Sequence, residues 1–481
     1  MPRIKLPIAS GFYVSQSTPL ADKRLVNMYP VIPQGGALSD AALFSTPGIA
    51  SFASITATNS RGSIVFFDGL PYFVVGTSLV SLSINGVVTN HGVISGSIDV
   101  SMASNGVNIA IVNPTGASYF FTPSTGVLEL SNSSPFLSFG QAETVTFKDG
   151  FYVYTTSSNF FSSSAKTVND GKTFNALDFA DAEISPDRII KAHNNHNQLY
   201  IFGENTIEVF QTIATTGFPF TRIAGASIQK GCRAPNSVHE FDNGFVFIGG
   251  DLGERPAVWK GIGSQAQKIS TSSVDQLLQD STPAEVLEAR CFTYSLKGNY
   301  FAVFTVGKHT LVYDAATGQW AERQTGITDG NGFLPWRAAH GVLAFGKILV
   351  GDDRSGNIGS LDHDVFTEYG GKIERIISTQ PFLDNGDAIY SKELELAMRT
   401  GVGDATTPNP QIRHDYSDDG SHTYGSEISK SMGRVGEYNT RVRWSRLGRI
   451  PNSRVLRWKT TEPVLIEIYA LYANAEGTNS G

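Results

Sequence analysis

The sequence predicts an all-β protein in which a β-propeller of six or seven blades, residues 61–378, follows an extended N-terminal arm, residues 1–60, and precedes a β-sandwich-like domain, residues 379–475. Three observations carry that reading. A tight-turn dipeptide followed by a short apolar run recurs through the middle of the chain, the recurrence has the period of a propeller blade, and the C-terminal stretch alternates apolar and polar residues without sharing the repeat.

Aligning the turns defines the repeat. Asp68-Gly69, Asn105-Gly106, Asp149-Gly150, His196-Asn197, Asn243-Gly244, Lys297-Gly298 and Phe345-Gly346 each precede a run rich in β-branched and aromatic residues, at an average spacing of about 46 residues. Asn-Gly and Asp-Gly supply the positive φ that tight hairpins demand, so each unit reads as a hairpin in a small antiparallel sheet. Such a sheet buries its faces only against neighbours, which is the logic of a propeller. The segment Val312 to Trp320 has the strand, Asp/Gly turn and Trp-opened strand that resemble a kelch-type blade. Thr167-x-Asn169-x-Gly171-x-Thr173-Phe174 resembles the Asp-box hairpin of sialidase-like propellers, with a degraded copy at Ser417-x-Asp419-Gly420-Ser421-x-Thr423-Tyr424. In these turns the acid or amide side chain binds backbone N–H groups, a structural role.

Helix is scarce. Thr282 as N-cap, Pro283 at the first helical position and Glu285 closing a capping box predict a helix through Arg290, preceded by a shorter amphipathic piece, Ser273 to Gln279. Together they form an insertion near 273–290, which accounts for the longest interval of the repeat, that between the turns at Asn243-Gly244 and Lys297-Gly298. The arm carries Pro2, Pro7, Pro19, Pro30, Pro33 and Pro47 with little periodicity and is expected to lie over a partner or over the propeller. Beyond the Gly/Thr/Pro-rich loop 397–411, the segment from Ile412 to Ala473 reads as strands, and the polar tail 476–481 is expected to fray.

Composition bounds the function. With 481 residues, 41% hydrophobic and a net charge of −7, the chain can bury full-sized cores, which excludes disordered and disulfide-scaffold classes. Cys232 and Cys291, far apart in the sequence, read as lone buried thiols. Arg3 and Lys5 are not followed by the apolar core of a secretory signal, and no apolar run approaches the length of a membrane span, so synthesis in a cytoplasm is the default.

Charge is concentrated near the end. Arg434, Arg441, Arg443, Arg446, Arg449, Arg454, Arg457 and Lys459 against Glu437 give +7 over residues 434–459 and leave −14 elsewhere, with Trp444 and Trp458 interleaved. A nucleic-acid or phosphate-binding face is one reading; a solvated face whose arginines meet acidic patches of another subunit is the preferred one, because an acidic protein is a poor non-specific DNA binder. Trp444 and Arg446 are accordingly expected to matter for assembly more than for folding. His193 and His196 lack a third ligand and helical spacing and read as a polar turn; Gly351 to Asn357 puts Arg354 where a calcium ligand should stand. No phosphate loop, nucleophile elbow or dinucleotide fingerprint occurs, so no catalytic residue, metal or cofactor is assigned.

Several stretches in order resemble a known family: Arg24-Leu25-Val26-Asn27-Met28-Tyr29-Pro30, Ser45-Thr46-Pro47-Gly48, Ile207-Glu208-Val209-Phe210-Gln211, and Phe218-Pro219-Phe220-x-Arg222-Ile223. The series continues through Gly225-Ala226-x-Ile228-Gln229-Lys230-Gly231-Cys232, Ile269-Ser270-Thr271, Val312-Tyr313-Asp314, Gln319-Trp320 and Arg441-Val442-x-Trp444-x-Arg446-Leu447-Gly448. The set is similar to the packaged-DNA stabilisation proteins of short-tailed phages, also called tail hub or nozzle proteins. The resemblance implies a structural virion protein without catalytic residues, assembled in the host cytoplasm as a ring of about six copies in the tail. It implies contact with the portal–adaptor complex, docking of tail needle, fibre or spike proteins, and passage of DNA through the lumen without sequence-specific binding or a small-molecule substrate. An acidic lumen wall would let DNA slide. The alternative is a propeller that binds or hydrolyses glycans as an adhesin or depolymerase, which would show paired carboxylates about 5–10 Å apart.

Overall fold

The computed structural model describes residues 4–8, 11–14, 22–33, 41–182, 187–330, 332–381, 389–450 and 453–477. Each of the seven turns found in the sequence joins the first two strands of one blade. Six blades are contiguous in sequence, spanning Ser60–Val65 to Val88–Val93, Ser101–Ser104 to Val127–Leu130, Thr144–Lys148 to Phe174–Ala180, Ile189–Asn195 to Phe220–Ile228, His239–Phe241 to Gln265–Lys268, and Arg290–Leu296 to Gln319–Glu322. A seventh contributes only Ala338–Ala344, Lys347–Asp352 and Asn357–Asp362; its outer strand is Gly48–Ser54, antiparallel to Asn357–Asp362.

The second strands, such as Pro71–Val75, Ile109–Val112 and Gly244–Gly250, are buried along their whole length because neighbouring blades cover both faces. Blade-to-blade apolar clusters close the circle: Phe73 and Val75 of the first blade meet Leu349 and Ile358 of the seventh, around Ala53 of the closing strand. The turns carry the predicted backbone: Asp149 and Gly150 have φ of 48° and 94°. Gly244 differs, since Asp242 and Asn243 take the positive φ there. Its glycine is required by close approach, because a Cβ would lie 2.2 Å from the Gly261 carbonyl oxygen.

The helical insertion forms as Ser272–Asp280 and Pro283–Leu287. Thr282 Oγ1 accepts from the Glu285 amide at 3.3 Å, and the Glu285 carboxylate accepts from the Thr282 amide at 2.8 Å. The second helix stops short of Arg290, which opens an inner strand. Residues 166–169, at the Asp-box-like segment, form one helical turn rather than a plain hairpin, with Phe174 buried beneath. The degraded copy keeps the acid's role: the Asp419 carboxylate accepts from the Thr423 amide at 2.9 Å.

The described part of residues 1–60 is not a free arm. Leu25–Val26 joins the last strand of the sixth blade to Arg375–Ser378, through Glu322 opposite Val26 and Val26 opposite Ile376. Met28–Val31 and Ala42–Ser45 pair with each other, and the latter with Glu467–Gly477, where Ile4–Leu6 also pairs. The proline-rich composition hid these strands because they are short; Pro30 sits in Met28–Val31 at the edge of its sheet, where a missing N–H is tolerated.

The C-terminal domain is a sandwich to which the N-terminal strands contribute. One sheet runs Val442–Ser445, Ile389–Met398, Glu467–Gly477, Ala42–Ser45, Met28–Val31; the facing strands run Leu25–Val26, Arg375–Ser378, Val455–Thr460, Gln411–Ser417, Ile428–Ser431. Leu394, Leu396, Ile412, Trp444, Leu456, Trp458 and Leu471 fill the space between. Residues 476–477 of the expected tail finish the last strand, and 478–481 lie outside the described residues.

Candidate functional site

The basic stretch divides into an outer and an inner half. Arg434, Arg441, Arg446 and Arg449 are exposed and Arg443 half-buried. Arg441 and Arg443 meet one carboxylate, Glu395, at 3.0 and 2.7 Å, because Glu395 and Arg443 are register partners on adjacent strands. Val435 and Tyr438 are exposed beside them in sequence, Tyr438 at 75%.

The inner half is interior. Trp444 and Trp458 are 0% and 1% exposed, the first donating its indole N–H to Ile428 O at 2.9 Å, the second stacked on His414 with ring centroids 5.0 Å apart. The expectation that Trp444 serves an interface is therefore corrected: its ring fills the sandwich core. Arg454 binds both oxygens of Asp418 at 2.6 and 2.7 Å and lies 3.7 Å over the Tyr416 ring. Arg457 binds Asp415 at 3.0 and 2.7 Å and lies 3.3 Å over Tyr424. Lys459 pairs with Glu427 and Asp415 and donates to Asp329 O at 3.0 Å. Since Asp329 and Gly330 belong to a loop after the sixth blade, these cations tie the sandwich to the propeller. Cross-strand register puts Asp415 opposite Arg457, so that buried guanidinium meets its counter-charge through the ladder itself.

The N-terminal motif completes the same junction. Arg24 grips Glu322 through two contacts of 3.1 Å, and the Asn27 side chain donates to Gln324 O and Glu374 O at 3.0 and 2.7 Å. Arg323 lies 3.8 Å over the buried Trp336 ring.

A second polar centre lies on the propeller axis, where a cavity of about 320 Å³ is walled by the first strands of all seven blades. Lys191, His193, His239, Glu240, Cys291 and His340 line it. Lys191 Nζ donates to Pro235 O at 2.9 Å and Val238 O at 3.3 Å, and burial pulls its pKa down to about 8. Burial, reinforced by Lys191, pulls His193 to about 3 and His239 to about 4. Beside the cavity, Asp99 joins Arg290 at 3.6 Å and His340 at 3.4 Å. Glu240 is the one carboxylate among the lining residues, whereas glycoside hydrolysis by two acids needs a pair.

His196 stays in its turn, Nε2 3.3 Å from Asn243 O, while His193 faces the axial cavity, so the two do not share the polar turn expected of them. Asp352 in the loop 351–357 is occupied by Arg337 Nε at 3.1 Å and the Arg354 amide at 3.1 Å, which leaves it a structural clamp. Among the described residues no His, Cys, Asp and Glu cluster suited to a metal occurs, both cysteines are free and buried, and no helix is long and apolar enough to cross a membrane. Sequence reasoning missed Lys191, His239 and His340. Each lies in the first strand of its blade, a few positions ahead of the repeat's turn, so aligning the repeat by strand position would have brought them together.

Comparison with known proteins follows the same division. The family described as bacteriophage P22 Gp10, beta-propeller, matches residues 4–366, and that described as bacteriophage P22 Gp10, beta-sandwich, matches residues 374–476. The tail hub protein gp10 of Salmonella phage P22 is 27% identical over 276 residues, covering 56% of this chain and 56% of that protein, so the match spans about half of the relative's length. Among solved structures, the extracellular domain of a putative one component system from B. thetaiotaomicron aligns at 10% identity and TM-score 0.42, over 82% of this chain and 48% of that one. The WD40 β-propeller domain of Doa1 aligns at 12% identity and TM-score 0.39, over 66% and 97%. With its propeller and its sandwich matched in order and nearly end to end, the chain belongs to the bacteriophage P22 Gp10 family.

Proposed function

We propose that this chain is a structural tail hub protein of a short-tailed phage, a nozzle that retains packaged DNA and conducts it during ejection. The observation that carries the reading is the succession of both Gp10 families along one chain, joined here by the buried Arg24–Glu322 pair and by Lys459 and Arg457 bonding to the carbonyls of Asp329 and Gly330. A conduit under load needs its domains to move as one body, and the shared strands at Leu25–Val26 supply that rigidity.

In this reading about six copies close a ring in the virion tail, assembled in the host cytoplasm, with the portal–adaptor complex on one side and needle, fibre or spike proteins docked on it. The chain acts without catalysis, and DNA crosses the lumen without sequence-specific contacts. Arg434, Arg441, Arg443, Arg446 and Arg449, with Val435 and Tyr438, form the face offered to a neighbouring copy, since charged groups beside an exposed aromatic are the usual composition of such a contact.

Electron microscopy of intact particles tests the proposal. A ring of propellers in the short tail is the expected result. Trimeric spikes, or absence from particles, would overturn it in favour of the glycan-active reading. Arg446→Glu should lower the fraction of particles that carry the ring while the chain melts as before; normal ring occupancy would remove the arginine face from the interface.

A further inference from the structure

The axial cavity holds a cation without a counter-charge. Lys191 forms no ion pair among the described residues, and its two hydrogen bonds to Pro235 O and Val238 O leave one of the three ammonium donors unspent. Lys191 is half-buried, and a cation partly withdrawn from water without a counter-charge is costly; proteins resolve the cost with a paired anion or by losing the proton. The same wall carries side-chain donors. His193 Nε2 is buried without a hydrogen-bond partner, and His239 stands on the same wall. The inner strands are the edge strands of their sheets, so backbone N–H groups face the axis together with carbonyls. Asp99, beside the cavity, is held by Arg290 and His340, and Arg61 spends its guanidinium on the carbonyls of Gly76, Ile94, Ser95 and Ile98. Glu240 is exposed at the wall, and the Cys291 thiol is pushed up by burial and stays neutral. The cavity's volume corresponds to about ten waters, room for an oxyanion and part of its hydration shell.

We propose that the axial cavity of the propeller binds a small free oxyanion against Lys191 Nζ, with His193 and His239 as further donors. Sulfate, phosphate and small carboxylates share the chemistry that this arrangement recognises. Binding weakens as pH rises past the Lys191 range near 8 and strengthens as the imidazoles gain protons in acid.

Equilibrium dialysis of the full chain with radiolabelled sulfate, at ionic strength held constant with chloride, tests the site. One sulfate per chain is expected, with affinity falling at least tenfold in Lys191→Met and severalfold in His193→Gln, and unchanged in His196→Gln. Competition by phosphate and by acetate separates a preference for tetrahedral dianions from one for carboxylates. Lys191→Met should also melt higher than the unsubstituted chain in chloride, because an uncompensated charge has been removed; if that variant fails to fold, His193→Gln and the decline of binding above pH 8 carry the test. Absence of saturable binding, or binding retained in both variants, would overturn the proposal.

Discussion

Buried positive charge is handled in opposite ways in two regions of this molecule. At and behind the seam between propeller and sandwich, Arg24, Arg457 and Lys459, and Arg454 deeper in the sandwich, each meet a carboxylate, and Arg454 and Arg457 also lie over tyrosine rings. On the propeller axis Lys191 meets only carbonyl oxygens. The difference shows where the chain is self-sufficient. The seam draws the partners of its paired cations from within the chain, although Arg323 and Arg375 beside it meet only backbone carbonyls and keep nitrogens without partners; the axis gives Lys191 no ion pair at all among the described residues.

Five outcomes would break or sharpen that contrast. The largest belongs to the sandwich core: Trp444→Ala should cost about 3–5 kcal/mol, a cavity effect seen in denaturant unfolding. A loss under about 1 kcal/mol would return Trp444 to the surface. Next, Asp415→Ala strands Arg457, leaving Lys459 to Glu427 alone, and should destabilise by about 3 kcal/mol, whereas Lys191→Met on the axis should be neutral or stabilising. Equal losses at both places would erase the distinction.

Acid probes both regions through their histidines. Burial lowers His414 in the sandwich core behind the seam and His239 on the axis to about 4, below the value of about 6.5 in an unfolded chain. Their contribution is therefore intact above about pH 6.5 and is lost as pH falls from there toward 4, by on the order of 2–3 kcal/mol for each residue. His414→Gln should flatten that part of the stability–pH curve, read from urea midpoints; an unchanged curve would mean the ring is solvated. Among the turns, Gly150→Ala should cost about 1 kcal/mol through its positive φ alone, and Gly244→Ala more, because its Cβ runs into a carbonyl. The reverse order in thermal melts would break the register assigned to the fifth blade. Smallest of all, Arg441→Ala should leave the melting midpoint nearly where it was, since its ion pair lies at the solvated edge of the sandwich. A clear drop there would make the outer half of the basic stretch as structural as the inner half.

How much of this was legible follows from the range of each interaction. The seven hairpins could be read because Asp149-Gly150 and its counterparts encode a backbone requirement within a single dipeptide. The capping box at Thr282 and Glu285 was readable for the same reason. The closure by Gly48–Ser54 was not, because its partner Asn357–Asp362 lies at the far end of the propeller sequence and leaves no local period. The basic run misled because a count of arginines is blind to carboxylates that arrive from another strand: Asp415, Asp418 and Glu395 become partners only through sheet pairing. The axial cluster was dispersed for a related reason, since Lys191, His239, Cys291 and His340 come from four separate blades and meet only when the circle closes.

The shared strands also set a clock. Gly48–Ser54 leaves the ribosome long before Asn357–Asp362 exists, and at roughly 5–20 residues per second the interval is on the order of 15–60 s. During that time the strand that will latch the circle has no mate, and Met28–Val31 and Ala42–Ser45 wait longer still for Glu467–Gly477. Some of the earliest-made strands are thus the last to be seated. A nascent chain cannot present a latched ring until Asn357–Asp362 emerges, nor a complete sandwich until Glu467–Gly477 does, so synthesis itself delays the appearance of a surface competent to join a tail.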